Sequence, residues 1–320
     1  MILHIHFSYL QNSGEIRRIK NINKDLAFRL SNDVIEIAFI SIFHFIHLRK
    51  YKFLLNEGIK HKYYIPVLPF SYGKYFFKAL NSFWISFCLL IIYLLKKPSY
   101  IIGEFSIAWQ ALRFIPKHTK CIIDVHGATR EEYDYSTSGK NHDERFSRYF
   151  DFLEERGMKR AVYVVCQSTE MKRFLLKKYP FLKEEKLYVY KCSADSRLFF
   201  YSPEIRQSMR KQLELEKSQK LFIYSGGLHK WQRFEDTLKF FSNYKLQHPN
   251  SKYLILTLNK EEALSIIENK YTHLVNDCIV KSVDNKEVHR YLNAADIAFL
   301  LRDNVIMNAV ASPTKLSEYL

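Results

Sequence analysis

Three short stretches carry residues whose types and spacing can do chemistry: SPTKLSE at 312–318, SGGLHKW at 225–231 and DVHG at 124–127. In the first, Ser312 can cap a helix whose first position is Pro313, where a missing N–H costs nothing. Thr314 and Lys315 stand beside the free N–H groups of that first turn, and Glu318 follows at i+4 and i+3 from them, so the same face can take a phosphate at its end and a sugar hydroxyl on the carboxylate. An ordinary capped helix with a Lys315–Glu318 surface pair fits the same residues. In the second stretch, Gly226 and Gly227 let the backbone approach a phosphate, and Lys230 can neutralise charge developing on a leaving group. A tight strand-to-helix turn with Lys230 in solvent is the plain alternative. In the third, Asp124 can orient His126, either as a structural pair or as part of a site. A hydrolytic triad is a poor fit, because no serine or cysteine stands in a G-x-S-x-G elbow.

These residues need elements to position them, and the chain alternates strand and helix patterns throughout. Strands are expected over 2–7, 33–41, 63–67, 100–103, 121–125, 161–166 and 187–191, with helices running to 30, from about 75 to 95, over 144–160 and over 168–179. The turn QNSGE at 11–15 leads into the first helix. Beyond residue 200 a link and a helix precede strands over 221–225, 253–257, 278–280 and 297–301, with helices over 235–245 and 260–268 between them. This alternation predicts α/β architecture with two mostly parallel sheets, and ligands of such sheets bind beyond the carboxyl ends of the strands. The loops after Phe7, Val125, Ser225 and Leu301 are therefore expected to line the site.

A chain of 320 residues can hold two domains with real cores, and 48% hydrophobic with 26% charged residues is a globular composition. An ordered chain is expected. Forty-nine Lys and Arg against 33 Asp and Glu give +16, which suits a nucleic acid, an anionic membrane surface or phosphorylated small molecules. The five cysteines, Cys88, Cys121, Cys166, Cys192 and Cys278, form no close pair and read as buried thiols of a reducing compartment. MILHIHFSYL runs directly into polar sequence, so no secretory leader is expected. The segment FWISFCLLIIYLL at 83–95, closed by Lys96 and Lys97, is shorter than the roughly 20 residues that cross a bilayer, so it reads as a buried helix or one whose basic, aromatic end touches a membrane surface.

With SGGLHKWQ after one strand, DVHG after another and NAVASPTKLSEYL at the end, the chain resembles the retaining GT-B glycosyltransferases of glycosyltransferase family 4, particularly bacterial members that build capsular, exopolysaccharide or lipopolysaccharide glycans. The resemblance covers nearly the whole chain and is strongest in the last motif. At the amino end, the glycine-rich loop usual after the first strand is represented only by QNSGEIRR with Gly14. The resemblance implies two facing Rossmann-like domains: 1–200 binding the acceptor, and 201–320 binding the nucleotide sugar. It also implies transfer with retention and no catalytic metal or other cofactor beyond the donor, expected to be UDP-linked.

Residue by residue, Glu318 matches the second carboxylate of the family's paired-glutamate motif, which binds the ribose, while the first falls on Val310. Lys230 matches the lysine that pairs with the diphosphate, and the arginine that commonly accompanies it falls on Gly227. Arg302 can supply that missing charge, although a salt bridge to Asp303 or Asp296 is an alternative. His126, with Asp124, matches the histidine near the donor sugar and the acceptor. Gly226, Gly227, Ser312, Pro313, Thr314 and Lys315 complete the expected donor site; Arg130, Glu131 and Glu132 are placed in an acceptor-side loop.

The expected function is therefore transfer of a sugar from a nucleotide sugar to a glycan or lipid-linked acceptor in surface polysaccharide biosynthesis, in the cytoplasm or at the inner face of its membrane. The family pattern continues after EYL with further strands and a helix, so the second domain is expected to be incomplete. A catalytically impaired or truncated homologue that binds donor or serves as a partner subunit is the alternative. A nucleic-acid-binding protein comes third, since no basic and aromatic interleaving of RNA-binding type is visible.

Overall fold

A computed structural model describes residues 1–8, 14–30, 33–46, 61–68, 75–104, 112–139 and 142–320. Two compact units emerge, Met1–Lys191 with Ala309–Ser312, and Cys192–Asn308 with Pro313–Leu320.

In the first unit, β1 (Ile2–Ser8), α1 (Gly14–Leu30), β2 (Val34–Ser41), α2 (Ile42–Ile46), β3 (His61–Val67), α3 (Tyr75–Lys96) and β4 (Tyr100–Glu104) are followed by β5 (Lys120–Val125), α4 (Thr129–Thr137), α5 (Glu144–Arg160), β6 (Tyr163–Cys166), α6 (Thr169–Lys178) and β7 (Leu187–Val189). The strands form one parallel sheet in the order β3-β2-β1-β4-β5-β6-β7. In the second unit, α7 (Pro203–Gln212), β8 (Lys220–Ser225), α8 (Phe234–Gln247), β9 (Ser251–Leu256), α9 (Lys260–Lys270), β10 (Cys278–Lys281), α10 (Val288–Ala294), β11 (Ile297–Phe299), α11 (Ile306–Ala309) and α12 (Thr314–Tyr319) build a four-stranded parallel sheet, β10-β9-β8-β11. The expected α/β architecture with two parallel sheets is what the chain forms.

The period-2 alternation of β1 decides what the first sheet shows to each side. Leu3, Ile5 and Phe7 enter an apolar cluster with Ile85 and Leu89 of α3, while His4 and His6 point to the other face and are buried there. A second cluster joins Ile123 and Val125 of β5 to Met158, Met171 and Leu175, and Val310 returns to this cluster from far along the chain. In the other unit, Phe222, Tyr253 and Phe299 pack on Phe241 and Leu238 of α8.

Local sequence misled in several places. Residues 130–132 lie in the helix α4, not a loop: Glu131 and Glu132 suit its first turn electrostatically, and the buried Tyr133 packs on Phe146 and Phe150. The helix α10 has a buried face made of Val288, Tyr291 and Ala294 that was not anticipated. Ser312 does not cap α12; Pro313 flanks its start without a side-chain cap. Cys121 and Cys166 are buried, but Cys88, Cys192 and Cys278 are only half-buried, and all five are free. Most of the expected QNSGE turn and the loop after β1 fall outside the described residues.

Candidate functional site

At the carboxyl ends of β4 and β5, Glu104 and Asp124 are register neighbours in the first sheet, and His126 follows Val125 at the end of β5. The His126 imidazole touches the Glu104 carboxylate and donates from Nε2 to Asp124 at 2.9 Å. Asp124 is also gripped by Arg18 of α1, whose Nε and Nη2 donate to its two oxygens at 2.8 and 2.6 Å. On its far side Glu104 accepts from His4 Nε2 at 2.6 Å, and His4 Nδ1 in turn contacts Asn23. A parallel set lies one strand over, where Glu36 meets His6 at 2.8 Å and Lys62 at 2.6 Å. All of these carboxylates are buried, so each needs its partner to remain charged.

The electrostatics follow from that packing. Burial alone pushes the His126 imidazole down, but the carboxylates of Glu104 and Asp124 outweigh it and hold the ring well above its ordinary range. The same holds, more weakly, for His4 beside Glu104. Burial works against ionisation of Glu104, and its two imidazoles reverse this to leave the carboxyl well below the usual range. Glu104, Asp124 and His126 each present a donor atom within 4.8 Å of the others, the spacing of a cation site. Arg18 already neutralises Asp124, however, and the imidazole sits between the carboxylates, so this trio fits a shared proton better than an added cation.

A pH dependence follows. With a raised native value, His126 contributes stability that is complete below its unfolded pKa of about 6.5 and is lost as pH rises through the native value; the depressed Glu104 contributes above about 4.3 and loses its contribution as pH falls through its native value. Urea unfolding of wild type and Glu104→Gln at pH 6 and pH 8.5 should show the larger difference at pH 6. An equal difference at both would dissociate Glu104 from the imidazoles.

In the second unit, the loops after the adjacent strands β8 and β11 are tied together. Asp303 N–H donates to the Trp231 carbonyl at 3.2 Å, and Arg233 Nη1 reaches Asp303 at 2.7 Å. Gly226 and Gly227 lie in crowded surroundings: an added Cβ would lie 3.2 Å from the Tyr224 hydroxyl or 3.1 Å from the Gln232 amide, so these side chains would have to give way. Lys230 is exposed, while Trp231 stacks on His229 at 4.5 Å between ring centres. Arg302 does not form the alternative salt bridges, since Asp303 is held by Arg233 and Asp296 by Arg206 and Arg210. The Arg302 side chain is half-buried near Tyr224 and Tyr319, burial lowers its pKa, and its buried Nε has no hydrogen-bond partner among the described residues, while Nη1 donates to Asn308 Oδ1 at 3.4 Å. No carboxylate lies within ion-pair reach of it among the described residues.

On α12, Glu318 is buried and takes Lys315 at 2.7 Å, so this pair is not the surface pair that the spacing allowed. Tyr319 docks its hydroxyl near the Phe299 carbonyl at 3.4 Å, and Ser317 donates to the Cys192 carbonyl at 3.2 Å. The structure thus gathers Arg302, Tyr224 and the α12 residues Glu318 and Tyr319, linked electrostatically. Ser312 and Val310 belong instead to the first unit, where Ser168 caps α6 and donates to the Val310 carbonyl at 2.6 Å.

The sequence reading missed His4, Arg18, Asn23, Glu36 and Glu104. Their signal was present: the strands VIEIAFIS, YIIGE and KCIIDV each carry one acid within a mainly apolar run, and ILHIHFS alternates histidine with apolar residues. A charge in a fully buried parallel strand needs a buried partner.

Among solved structures, the chain matches WaaG, a glycosyltransferase involved in lipopolysaccharide biosynthesis, at 12% identity over 100% of this chain and 78% of that one, with a TM-score of 0.67. It matches the Anabaena protein HepE in complex with UDP and glucose at 12% identity, covering 93% and 73%, with a TM-score of 0.62. A glycosyltransferase from Rickettsia africae ESF-5 matches at 14% identity, covering 93% and 71%, with a TM-score of 0.60. The chain has the GT-B fold. No family model and no curated protein sequence matches it.

Proposed function

We propose that the chain is a retaining glycosyltransferase related to glycosyltransferase family 4, which moves a sugar from a UDP-linked donor to a glycan or lipid-linked acceptor in surface polysaccharide biosynthesis. The observation that carries this reading is Arg302: a half-buried guanidinium whose Nε is buried and unpartnered, with no carboxylate in ion-pair reach among the described residues and beside the helix that bears Glu318, is suited to hold an anion. A nucleoside diphosphate supplies one. In this reading Arg302 and Lys230 take the diphosphate, with the Gly226–Gly227 backbone and the Thr314–Lys315 turn beside it, and Glu318 accepts from the ribose hydroxyls once Lys315 shifts toward phosphate. The first unit takes the acceptor, with His126 kept cationic by Glu104 and Asp124. Support comes also from HepE, whose complexes hold UDP and UDP-glucose. Free cysteines fit a reducing compartment such as the cytoplasm.

Titration calorimetry with UDP tests the donor site. Arg302→Ala and Glu318→Ala should each weaken binding by about tenfold or more, the loss of one charge-assisted contact at about 1.5–3 kcal/mol, and the exposed Lys230→Ala by less. Unchanged affinity in both Arg302→Ala and Glu318→Ala removes the proposed site. A second reading, a donor-binding homologue without turnover, is favoured by Val310, which puts an apolar side chain where the family pattern has its first carboxylate. Product analysis separates the two, since UDP binding without sugar transfer or UDP-sugar hydrolysis supports the second.

A further inference from the structure

Helix α3 is apolar on both sides, although among the described residues only one side packs into a core. Ile85 and Leu89 are fully buried against the first sheet. On the opposite face Phe83, Trp84, Phe87, Ile91, Leu94 and Leu95 stand 42–74% exposed, with no polar residue interrupting the stripe until Lys96. Their spacing of 3, 4 and 7 makes one continuous band along a helix about 33 Å long. Phe83 and Phe87 stack at 6.4 Å, and Phe83 meets Phe114 edge-on at 5.8 Å, so the band extends onto the 112–114 turn. The indole N–H of Trp84 is satisfied by the Pro66 carbonyl at 2.9 Å. A surface of this kind costs free energy in water and marks an interaction site.

Charge decides the occupant. Residues 58–123 hold nine Lys and Arg and one acid, Glu104, which is buried on the other face of the sheet with His4. Of the cations, Lys96, Lys97, Arg113, Lys117 and Lys120 are exposed. The Arg113 guanidinium lies 5.8 Å from the Phe114 ring centre, and Tyr93 links α3 to His118 and Thr119. A second copy of the chain would bring the same cations against themselves, at +16 on each molecule. A surface that offers hydrocarbon beneath a layer of negative charge satisfies both features at once. No helix among the described residues is long and apolar enough to cross a membrane.

We propose that the exposed face of α3, with the basic 113–120 segment beside it, docks on an anionic lipid surface, the helix lying in the plane of the interface with its aromatic and aliphatic band inserted. The Lys and Arg side chains then reach the phosphates while Phe87, Ile91, Leu94 and Leu95 leave water. This surface is independent of the donor chemistry proposed above, and it would bring a lipid-linked acceptor to the unit that carries it.

Flotation with vesicles of phosphatidylcholine and 30% phosphatidylglycerol tests it. Wild type should bind at low salt, with partitioning lower by at least tenfold on pure phosphatidylcholine, in 0.5 M NaCl, and for Phe87→Glu/Leu94→Glu on the anionic vesicles. Both substituted positions are solvent-facing, and far-UV circular dichroism checks that the variant folds. Should it not fold, quenching by brominated phosphatidylglycerol that wild type shows and Trp84→Phe lacks gives the same reading. Three results overturn the proposal: no binding to anionic vesicles at low salt, salt-sensitive binding that neither the double variant nor Trp84 quenching registers, or a dimer that the double variant dissolves in a chain that ignores vesicles.

Discussion

Arg18→Met is expected to destabilise the first unit by about 3–5 kcal/mol, the cost of leaving one partner of a buried ion pair behind. Arg18 ties α1 to the sheet through both oxygens of Asp124, contacts the Tyr190 carbonyl and stacks its guanidinium 5.0 Å from the Tyr190 ring centre. Removing it leaves Asp124 buried with His126 as its one remaining side-chain partner among the described residues, and that imidazole is already shared with Glu104. For a unit of this size the loss corresponds to a melting temperature lower by about 6–20 °C. Arg18→Lys should recover only part, because an ammonium cannot reproduce the two-pronged grip. Arg18→Met/Asp124→Asn should recover more, since the stranded charge is gone even though the hydrogen bonds are not. Urea unfolding of the four chains decides it; a cost below about 1 kcal/mol for Arg18→Met would mean that water reaches Asp124 and the network is a surface feature.

That experiment addresses what the sequence made hard to see. The alternation of apolar runs with amphipathic helices disclosed nearly every strand, and α5 was legible to both ends because Asp143 caps it and Ala161 ends it. Distance along the chain hid the rest. Arg18 and Asp124 are 106 residues apart and His4 and Glu104 are 100 apart, and nothing local marks one as the partner of the other. Where local signals existed they could also mislead: Ser312 before Pro313 has the form of a helix cap, yet tertiary packing assigns Ser312 to the first unit and begins the helix one residue later. Arg302 was picked out for its charge, but the feature that makes it informative, a buried Nε with no acid in reach among the described residues, depends on how Asp303 and Asp296 are used by other arginines.

Val310→Glu restores the first carboxylate of the motif that NAVASPTKLSEYL resembles, and the expected result is loss of stability with no gain of activity. Val310 is 3% exposed and packs in the cluster of Ile123, Met158, Val164, Met171 and Leu175, while its carbonyl is held by Ser168. The other buried members of that cluster, Val125, Ala128, Ala161, Cys166, Tyr179, Leu182 and Leu187, offer no cation. A carboxyl placed there stays neutral. At pH 7 this costs about 4 kcal/mol, the free energy of protonating a group whose ordinary pKa is about 4.3, before any cost of fitting a larger side chain. The sign of the pH dependence follows, because a native pKa raised above the unfolded one makes the penalty grow as pH rises above about 4.3. At pH 5 the same term is about 1 kcal/mol, so the gap between wild type and variant should widen by about 1.4 kcal/mol per pH unit between pH 5 and 7. Urea unfolding at three pH values reads this slope directly. A gap that does not change with pH would place the new carboxylate in water, and if UDP-sugar turnover rose at the same time, residue 310 would stand in the donor site after all and valine there would be a lesion in it.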